Sequence, residues 1–243
     1  MSVAAILTAA GSGTRLGRDE PKAFVPVDGS PLLLHAAKAL LDAVTPAGER
    51  IDQLVVTVPA GLVARAGELL TEACGSAVDL WVVEGGGTRQ ASVAAGLAAV
   101  RPEVDLVLVH DAARAFAPAE LVARVMAAVR AGRDAVVPGL PLVDTVKRVG
   151  EQTADGDRPV VGTVPRAELV SVQTPQGFDR TLLVRAHAAG RGRAGDESSA
   201  ASDDAGLVEE LGAAVWVVPG DRRAAKITTA EDLVVARMLA ADA

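Results

Sequence analysis

Two hydrophobic rhythms alternate along the chain. Short runs rich in β-branched residues lie near Ala4 to Thr8, Leu54 to Val58, Leu80 to Val83, Leu106 to His110, Ala135 to Val137, Leu169 to Val172 and Val215 to Val218, and they read as strands. Ala- and Leu-rich stretches with helical spacing separate them, near Leu32 to Val44, Leu62 to Cys74, Arg89 to Val100, Ala119 to Ala131, Arg180 to Ala189, Asp203 to Leu211 and Ala230 to Ala241. Strand and helix in regular succession predict an α/β fold in which a mostly parallel sheet is covered by crossover helices. No internal repeat or low-complexity tract interrupts the pattern.

Two segments break the succession. From Leu142 to Val164, two extended arms flank the polar turn Ala154-Asp155-Gly156-Asp157, which predicts a β-hairpin. An isolated hairpin is marginal in water, so this one is expected to pack on something, a partner subunit being a good candidate. The stretch Gly190 to Ser199 is rich in glycine and charge without a period, and is expected to be a mobile surface loop.

Composition narrows the function. The chain has 243 residues and 50% hydrophobic positions, enough for one compact domain spanning 1–243. With 24 Lys plus Arg against 31 Asp plus Glu, the formal charge is −7, which disfavours non-specific nucleic-acid binding. Five aromatic residues are also too few for base-stacking platforms. Cys74 has no cysteine partner and reads as a reduced core thiol. No stretch approaches the ~20 apolar residues of a membrane span, and the first residues lack the basic start of an export signal, so the cytoplasm is the expected compartment.

Ligands of open α/β sheets bind beyond the carboxyl ends of the strands, and the residues there form one set. The first strand runs into Ala9-Ala10-Gly11-Ser12-Gly13-Thr14-Arg15-Leu16-Gly17, with Pro21-Lys22 close behind. Glycines let backbone N–H groups turn toward an anion while Arg15 and Lys22 add positive charge, which points to a triphosphate cradle; a plain glycine loop with solvated cations is the alternative. No Gly-Lys pair exists for a P-loop. The third glycine is one place late for a dinucleotide loop, and the second strand ends in Val58-Pro59 rather than an acid, so nicotinamide chemistry is disfavoured.

Further along, Gly85-Gly86-Gly87 precedes a helix start with Ser92 nearby, an arrangement able to hydrogen-bond a base edge or simply to turn the chain. Asp111 and Arg114 at the mouth of the fourth strand could hold a substrate hydroxyl and phosphate, or form a surface ion pair of little consequence. Thr229 fits a helix cap, which leaves Lys226 unexplained. His35, His110 and His187 have no Cys or carboxylate at ligand spacing and read as structural. There is no Gly-x-Ser-x-Gly elbow for a serine hydrolase.

In order, Ala9-Ala10-Gly11-x-Gly13-x-Arg15, Pro21-Lys22, Gly85-Gly86, Val109-His110-Asp111-Ala112-Ala113-Arg114, Asp144-Thr145-x-Lys147, Gln173-Thr174-Pro175-Gln176 and Lys226-Ile227-Thr228 resemble the 2-C-methyl-D-erythritol 4-phosphate cytidylyltransferase family over residues 4 to 240. The resemblance implies a Rossmann-like nucleotidyltransferase fold and a homodimer whose protruding β-arms, residues 142–164, interlock. It also implies transfer of CMP from CTP to an alcohol phosphate, with Mg²⁺ carried on the triphosphate rather than in a protein cage.

By position, Arg15, Lys22 and Lys226 correspond to catalytic cations. Ala10, Gly11, Ser12, Gly13, Gly86 and Ser92 match nucleotide-binding positions. Asp111, Arg114, Thr174, Ser202 and Thr228 match the acceptor side, with Thr145 and Arg166 reaching across from the other subunit. The chain departs from the family pattern at Gly87, where an acid is frequent, at Ala115, where Pro is common, and at Ser202 in place of Thr; the stretch 190–200 is longer than usual. A ribitol 5-phosphate cytidylyltransferase and a non-catalytic nucleotide-binding protein of the same fold are the alternative readings.

Overall fold

The computed structural model describes residues 2–11, 20–75 and 78–241. In chain order the elements are β1 (Val3–Thr8), β2 (Pro26–Val27), β3 (Ser30–Pro31), α1 (Leu32–Leu41), β4 (Gln53–Val58), α2 (Val63–Cys74), β5 (Asp79–Glu84), α3 (Arg89–Ala98), β6 (Leu106–Asp111), α4 (Ala119–Arg130) and β7 (Ala135–Pro141). They continue as β8 (Val146–Val149), β9 (Val160–Val164), β10 (Val170–Val172), β11 (Gln176–Asp179), α5 (Arg180–Ala189), α6 (Asp204–Glu210), β12 (Trp216–Pro219) and α7 (Ala230–Ala241).

The main sheet has the order β10-β7-β11-β6-β1-β4-β5, with β12 also pairing β7. β1 lies parallel to both β4 and β6, and β4 parallel to β5. β11 is antiparallel to β6 and to β7, which leaves β6 and β7 pointing the same way, and β12 is parallel to β7. β10 pairs β7 in the antiparallel sense. The sheet is thus mostly parallel, as the alternation of strand and helix predicts.

Residues one apart on a strand face opposite sides, and here both sides are covered. Val3, Ala5 and Leu7 of β1 join Leu54, Val56, Leu106 and Leu108 in one core under α1, α2 and α4; Ala4, Ile6, Val55, Val107 and Val109 join a second core under α3, α5 and α6. Phe178, fully buried on β11, fills the second core. A smaller cluster seats α7, through Leu233 and Ala236, on Val25, Val27, Leu32 and Ile227. The expected cap of α7 is present and reciprocal: the Asp232 N–H bonds Thr229 Oγ1 while the Thr229 N–H bonds Asp232 Oδ2 at 2.9 Å.

Four local expectations are refined. The 173–178 segment, read only as a motif, contains β11, which sits between β6 and β7; its Gly-Phe pair lacks the β-branched run by which strands are recognised. The 142–164 segment forms the expected hairpin, β8 against β9, with a bulge at Arg148/Val149. Gly190 to Ser199 is not a bare surface loop. Its first residues form a 3₁₀ turn, Gly190 is buried, and Gln90 on α3 bonds both ends, donating to the Gly190 carbonyl and accepting from the Ala201 N–H, each at 2.9 Å. Cys74 is only partly buried at the end of α2, and that burial pushes its thiol pKa up.

Candidate active site

Parallel pairing in register brings the carboxyl ends of β1, β4, β5 and β6 to one edge. Thr8 aligns with Asp111 and with Thr57, and Val58 with Glu84. Single backbone bonds carry the alignment past the strand ends: Ala9 N–H to the Thr57 carbonyl, Gly85 N–H to the Val58 carbonyl, and Ala112 N–H to the Thr8 carbonyl. The loops that leave these ends enclose a cleft of about 720 Å³. Ala10, Gly11, Lys22, Gly86, Ser92, Asp111, Lys226 and Thr228 all line it, so eight of the residues singled out from sequence meet in one place. Ser12, Gly13 and Arg15 lie outside the described residues.

Each wall has a local cause. Lys22 opens a 3₁₀ turn, Lys22–Phe24, whose Ala23 and Phe24 are buried; the turn is therefore anchored in the core by Phe24 while Lys22 faces the cleft. The glycine pair is required by packing. A Cβ on Gly85 would stand 2.5 Å from Ala10 Cβ, and one on Gly86 2.4 Å from Ala91 Cβ. Gly87, by contrast, has open space, so a larger side chain would fit there. Thr88 caps α3, accepting from the Ala91 N–H and donating to the Ala194 carbonyl of the 190–201 segment. Ser92 donates to the Thr88 carbonyl at 2.8 Å, which leaves its oxygen lone pairs as acceptors.

At the end of β6, Asp111 is buried and accepts Lys226 Nζ at 2.8 Å on Oδ2 and Arg89 Nε at 3.1 Å on Oδ1. Burial alone would raise its pKa, but the charges of Arg89 and Lys226 and the Lys226 hydrogen bond outweigh this and hold the carboxyl well below the usual carboxylate range. Lys226 is brought here by its neighbour: Ile227 is buried and its N–H bonds the Ala113 carbonyl at 2.8 Å. Arg89 is a site residue that the sequence reading misses. Its only sequence signal is a cation in the first turn of the helix that follows the glycines.

The remaining residues fall elsewhere. Asp111 and Arg114 do not form the surface ion pair that their spacing allows; the Arg114 guanidinium instead donates to the Ala224 carbonyl and to that of Val172 at the end of β10. Thr174 also stands behind the site, where its hydroxyl accepts the Asp111 N–H at 3.1 Å. Ser202, Thr145 and Arg166 are exposed and do not line the cleft, the last two lying on or beside the hairpin arm. His187 has a carboxylate partner that chain spacing does not reveal, since Asp204, 17 residues on, accepts from its Nε2 at 2.9 Å. Among the described residues, no group of three His, Cys, Asp or Glu could hold a metal ion.

His110 anchors Asp111 from inside. It is fully buried, its Nε2 is 3.3 Å from the Arg114 carbonyl and its Nδ1 is 2.9 Å from Thr174 Oγ1. Burial drives its pKa down to about 4, so at neutral pH the ring is uncharged. The Thr174 hydroxyl then donates to Nδ1 while accepting from Asp111 N–H. Because the unfolded chain binds this proton near pH 6.5 and the folded chain only near 4, stability is complete above that window and declines by about 3 kcal/mol as pH falls through it. Urea midpoints measured from pH 7 to pH 4.5 are expected to fall steadily in the parent and more shallowly in His110→Gln; equal slopes would dismiss the assignment.

The chain is similar along nearly its whole length to proteins of one kind. Residues 3–241 match the family described as IspD, 2-C-methyl-D-erythritol 4-phosphate cytidylyltransferase. Relatives carrying that name include one from Nocardia farcinica, 49% identical over 238 residues covering 98% of this chain and 94% of the relative. Another, from Streptomyces coelicolor, is 46% identical over 240 residues, 98% of this chain and 84% of the relative. The crystal structure of 2-C-methyl-D-erythritol 4-phosphate cytidylyltransferase from Thermus thermophilus superposes with a TM-score of 0.73 at 38% identity, covering 99% of this chain and 100% of that one. With the cleft lined by Gly11, Gly86, Lys22, Asp111 and Lys226 at the carboxyl ends of parallel strands, these matches place the chain in the 2-C-methyl-D-erythritol 4-phosphate cytidylyltransferase family, as a nucleotidyltransferase.

Proposed function

We propose that this cleft transfers CMP from CTP to 2-C-methyl-D-erythritol 4-phosphate, giving 4-diphosphocytidyl-2-C-methyl-D-erythritol and pyrophosphate for isoprenoid biosynthesis. The observation that carries the reading is the meeting of Lys22, Lys226 and Asp111 with Gly11 and the Gly85-Gly86-Gly87 turn in one cleft, within a chain matched to the family from residue 3 to residue 241. An acceptor phosphate oxygen attacks the α-phosphorus, a new P–O bond forms, the bond from the α-phosphorus to the bridging oxygen breaks, and pyrophosphate departs with that electron pair. A phosphate dianion is already a nucleophile at neutral pH, so the protein's task is to bring two anions together and to meet the charge that develops on the phosphoryl oxygens.

Lys22 supplies a point charge at the triphosphate, and Arg15, carried over from the resemblance, a planar grip on its oxygens. Gly86 and Ser92 offer backbone and hydroxyl groups to the cytosine edge. Lys226 and Asp111 address the acceptor, the ammonium its phosphate and the carboxylate a hydroxyl. Asp111 already accepts from Lys226 and Arg89, so a Mg²⁺ ion, which commonly keeps waters and takes substrate phosphates as ligands, would be held chiefly by CTP; when bound it neutralises triphosphate charge.

A homodimer and a cytoplasmic setting complete the proposal. The hairpin and the strand after it expose Val143, Val149, Val160, Val161, Val170 and Val172, apolar side chains that a second copy could cover, and Thr145 and Arg166 sit beside the arm. Among the described residues, no helix is long and apolar enough to cross a membrane. Pyrophosphate release measured over a panel of nucleotides and alcohol phosphates tests the whole reading. Turnover is expected with CTP and 2-C-methyl-D-erythritol 4-phosphate; preference for ribitol 5-phosphate, or CTP binding without release, would replace it.

A further inference from the structure

We propose that Arg89 is a positioning residue for the acceptor end of the site, holding the Asp111 carboxylate and the turn before α6 in a single arrangement. The inference rests on the reading of Asp111 as an acceptor contact. Arg89 is the first residue of α3 and its guanidinium forks between two carboxylates, Nε to Asp111 Oδ1 at 3.1 Å and Nη1 to Asp204 Oδ2 at 2.8 Å. Asp204 is itself buried, with 1% of its side chain exposed, and its other oxygen accepts from His187 Nε2 on α5. A connected row of hydrogen bonds therefore runs from Lys226 through Asp111, Arg89 and Asp204 to His187, joining the cleft to α5 and α6.

Geometry favours positioning over simple neutralisation. A carboxylate with one partner can turn about its last bond. Asp111 has Lys226 on Oδ2 at 2.8 Å and, on Oδ1, the charged Arg89 Nε at 3.1 Å beside the longer, neutral Thr8 hydroxyl contact at 3.3 Å, so the direction of both oxygens is fixed with Arg89 as the only cation on Oδ1. The same guanidinium sets the first residue of α6, whose N-cap Asp203 is held from the opposite side by Gln176 Nε2 at 2.8 Å. Ser202 is the next residue back along the chain, so Arg89 and Gln176 together fix where that exposed hydroxyl starts from. The guanidinium is placed by these two acids and not by its own saturation: its Nη2 is buried and meets no acceptor. Only a planar, forked cation spans both carboxylates; an ammonium reaches one.

Steady-state kinetics of the full chain with each substrate varied separately decide the matter. Arg89→Ala strands two buried acids and is expected to lose stability, so the decision rests on Arg89→Lys and Asp204→Asn. Arg89→Lys is expected to lower kcat/KM for the alcohol phosphate at least ~10-fold while KM for CTP stays within about twofold, since only interactions at the acceptor are disturbed. Asp204→Asn should move the same parameter in the same direction by less. Asp111→Asn introduced into Arg89→Lys should add far less than it costs alone, because the two residues act as one unit.

Parent-like kinetics for Arg89→Lys would overturn the inference, as would equal rises in both KM values or full additivity with Asp111→Asn. Impaired acceptor kinetics in Asp111→Asn beside an unaffected Arg89→Lys would remove the inference alone. Unchanged acceptor kinetics in Asp111→Asn would remove the underlying role of Asp111, and the inference with it.

Discussion

Lys22→Ala is expected to lower kcat by at least ~10²-fold, the scale seen when one preorganised donor is taken from a developing oxyanion. Charge grows on the α-phosphoryl and departing pyrophosphate oxygens during transfer, and a cation already fixed beside them is worth most where water is excluded. Lys22 is held in place because its turn is anchored by Phe24, which is 1% exposed. The anchor survives the substitution, so the circular dichroism spectrum and melting temperature should stay close to the parent. Lys22→Arg should be impaired as well, since a planar fork does not replace a compact ammonium. A Lys22→Ala rate within about threefold of the parent would show that this side chain is not one of the preorganised donors.

The second large effect concerns the arms. If Arg166 serves the site of the other subunit, Lys22→Ala and Arg166→Ala homodimers are each inactive, and a mixed dimer contains one site with both residues intact. Random reassortment of equal amounts makes half the dimers mixed, and one good site in each of these restores roughly a quarter of parental activity in a two-fold symmetric assembly. That gain stands against a background lowered ~10²-fold, so pyrophosphate release reads it easily. Mass photometry or native mass spectrometry of differently tagged chains verifies that mixed dimers exist. Verified mixed dimers with no recovered activity would mean that each subunit carries a complete site, and Arg166 would then act on its own chain or not at all.

The elements with a clear apolar rhythm are legible in the chain because their partners are near in sequence or repeat the same chemistry. β1, β4 and β6 show it best: most of their buried positions are apolar and divide between the two cores, while Gln53, Thr57 and His110 are buried polar exceptions. β11 is not legible, since Gln-Gly-Phe-Asp gains its strand geometry from β6 and β7 on either side rather than from its own residues.

The same division runs through the site. Lys22, Gly86 and Asp111 stand in motifs at strand ends and can be picked out one at a time. Arg89 cannot be, because its meaning lies in Asp204, 115 residues away. His187 escapes for a like reason: sequence spacing offers it no carboxylate, while the one it bonds sits on another helix. Arg114, recognisable as a strand-mouth cation, spends its donors on backbone carbonyls that no spacing rule anticipates.

The grip of Gln90 on both ends of the 190–201 segment bears on how relatives of this chain can diverge. With the two ends closed by one amide, residues added between them away from the Ala194 carbonyl that Thr88 bonds chiefly change the entropy of an already formed ring, about 0.6 kcal/mol for each doubling of its length. The rim over that part of the cleft can therefore grow, shrink or change its charge through insertion and deletion, while the sheet underneath keeps its register.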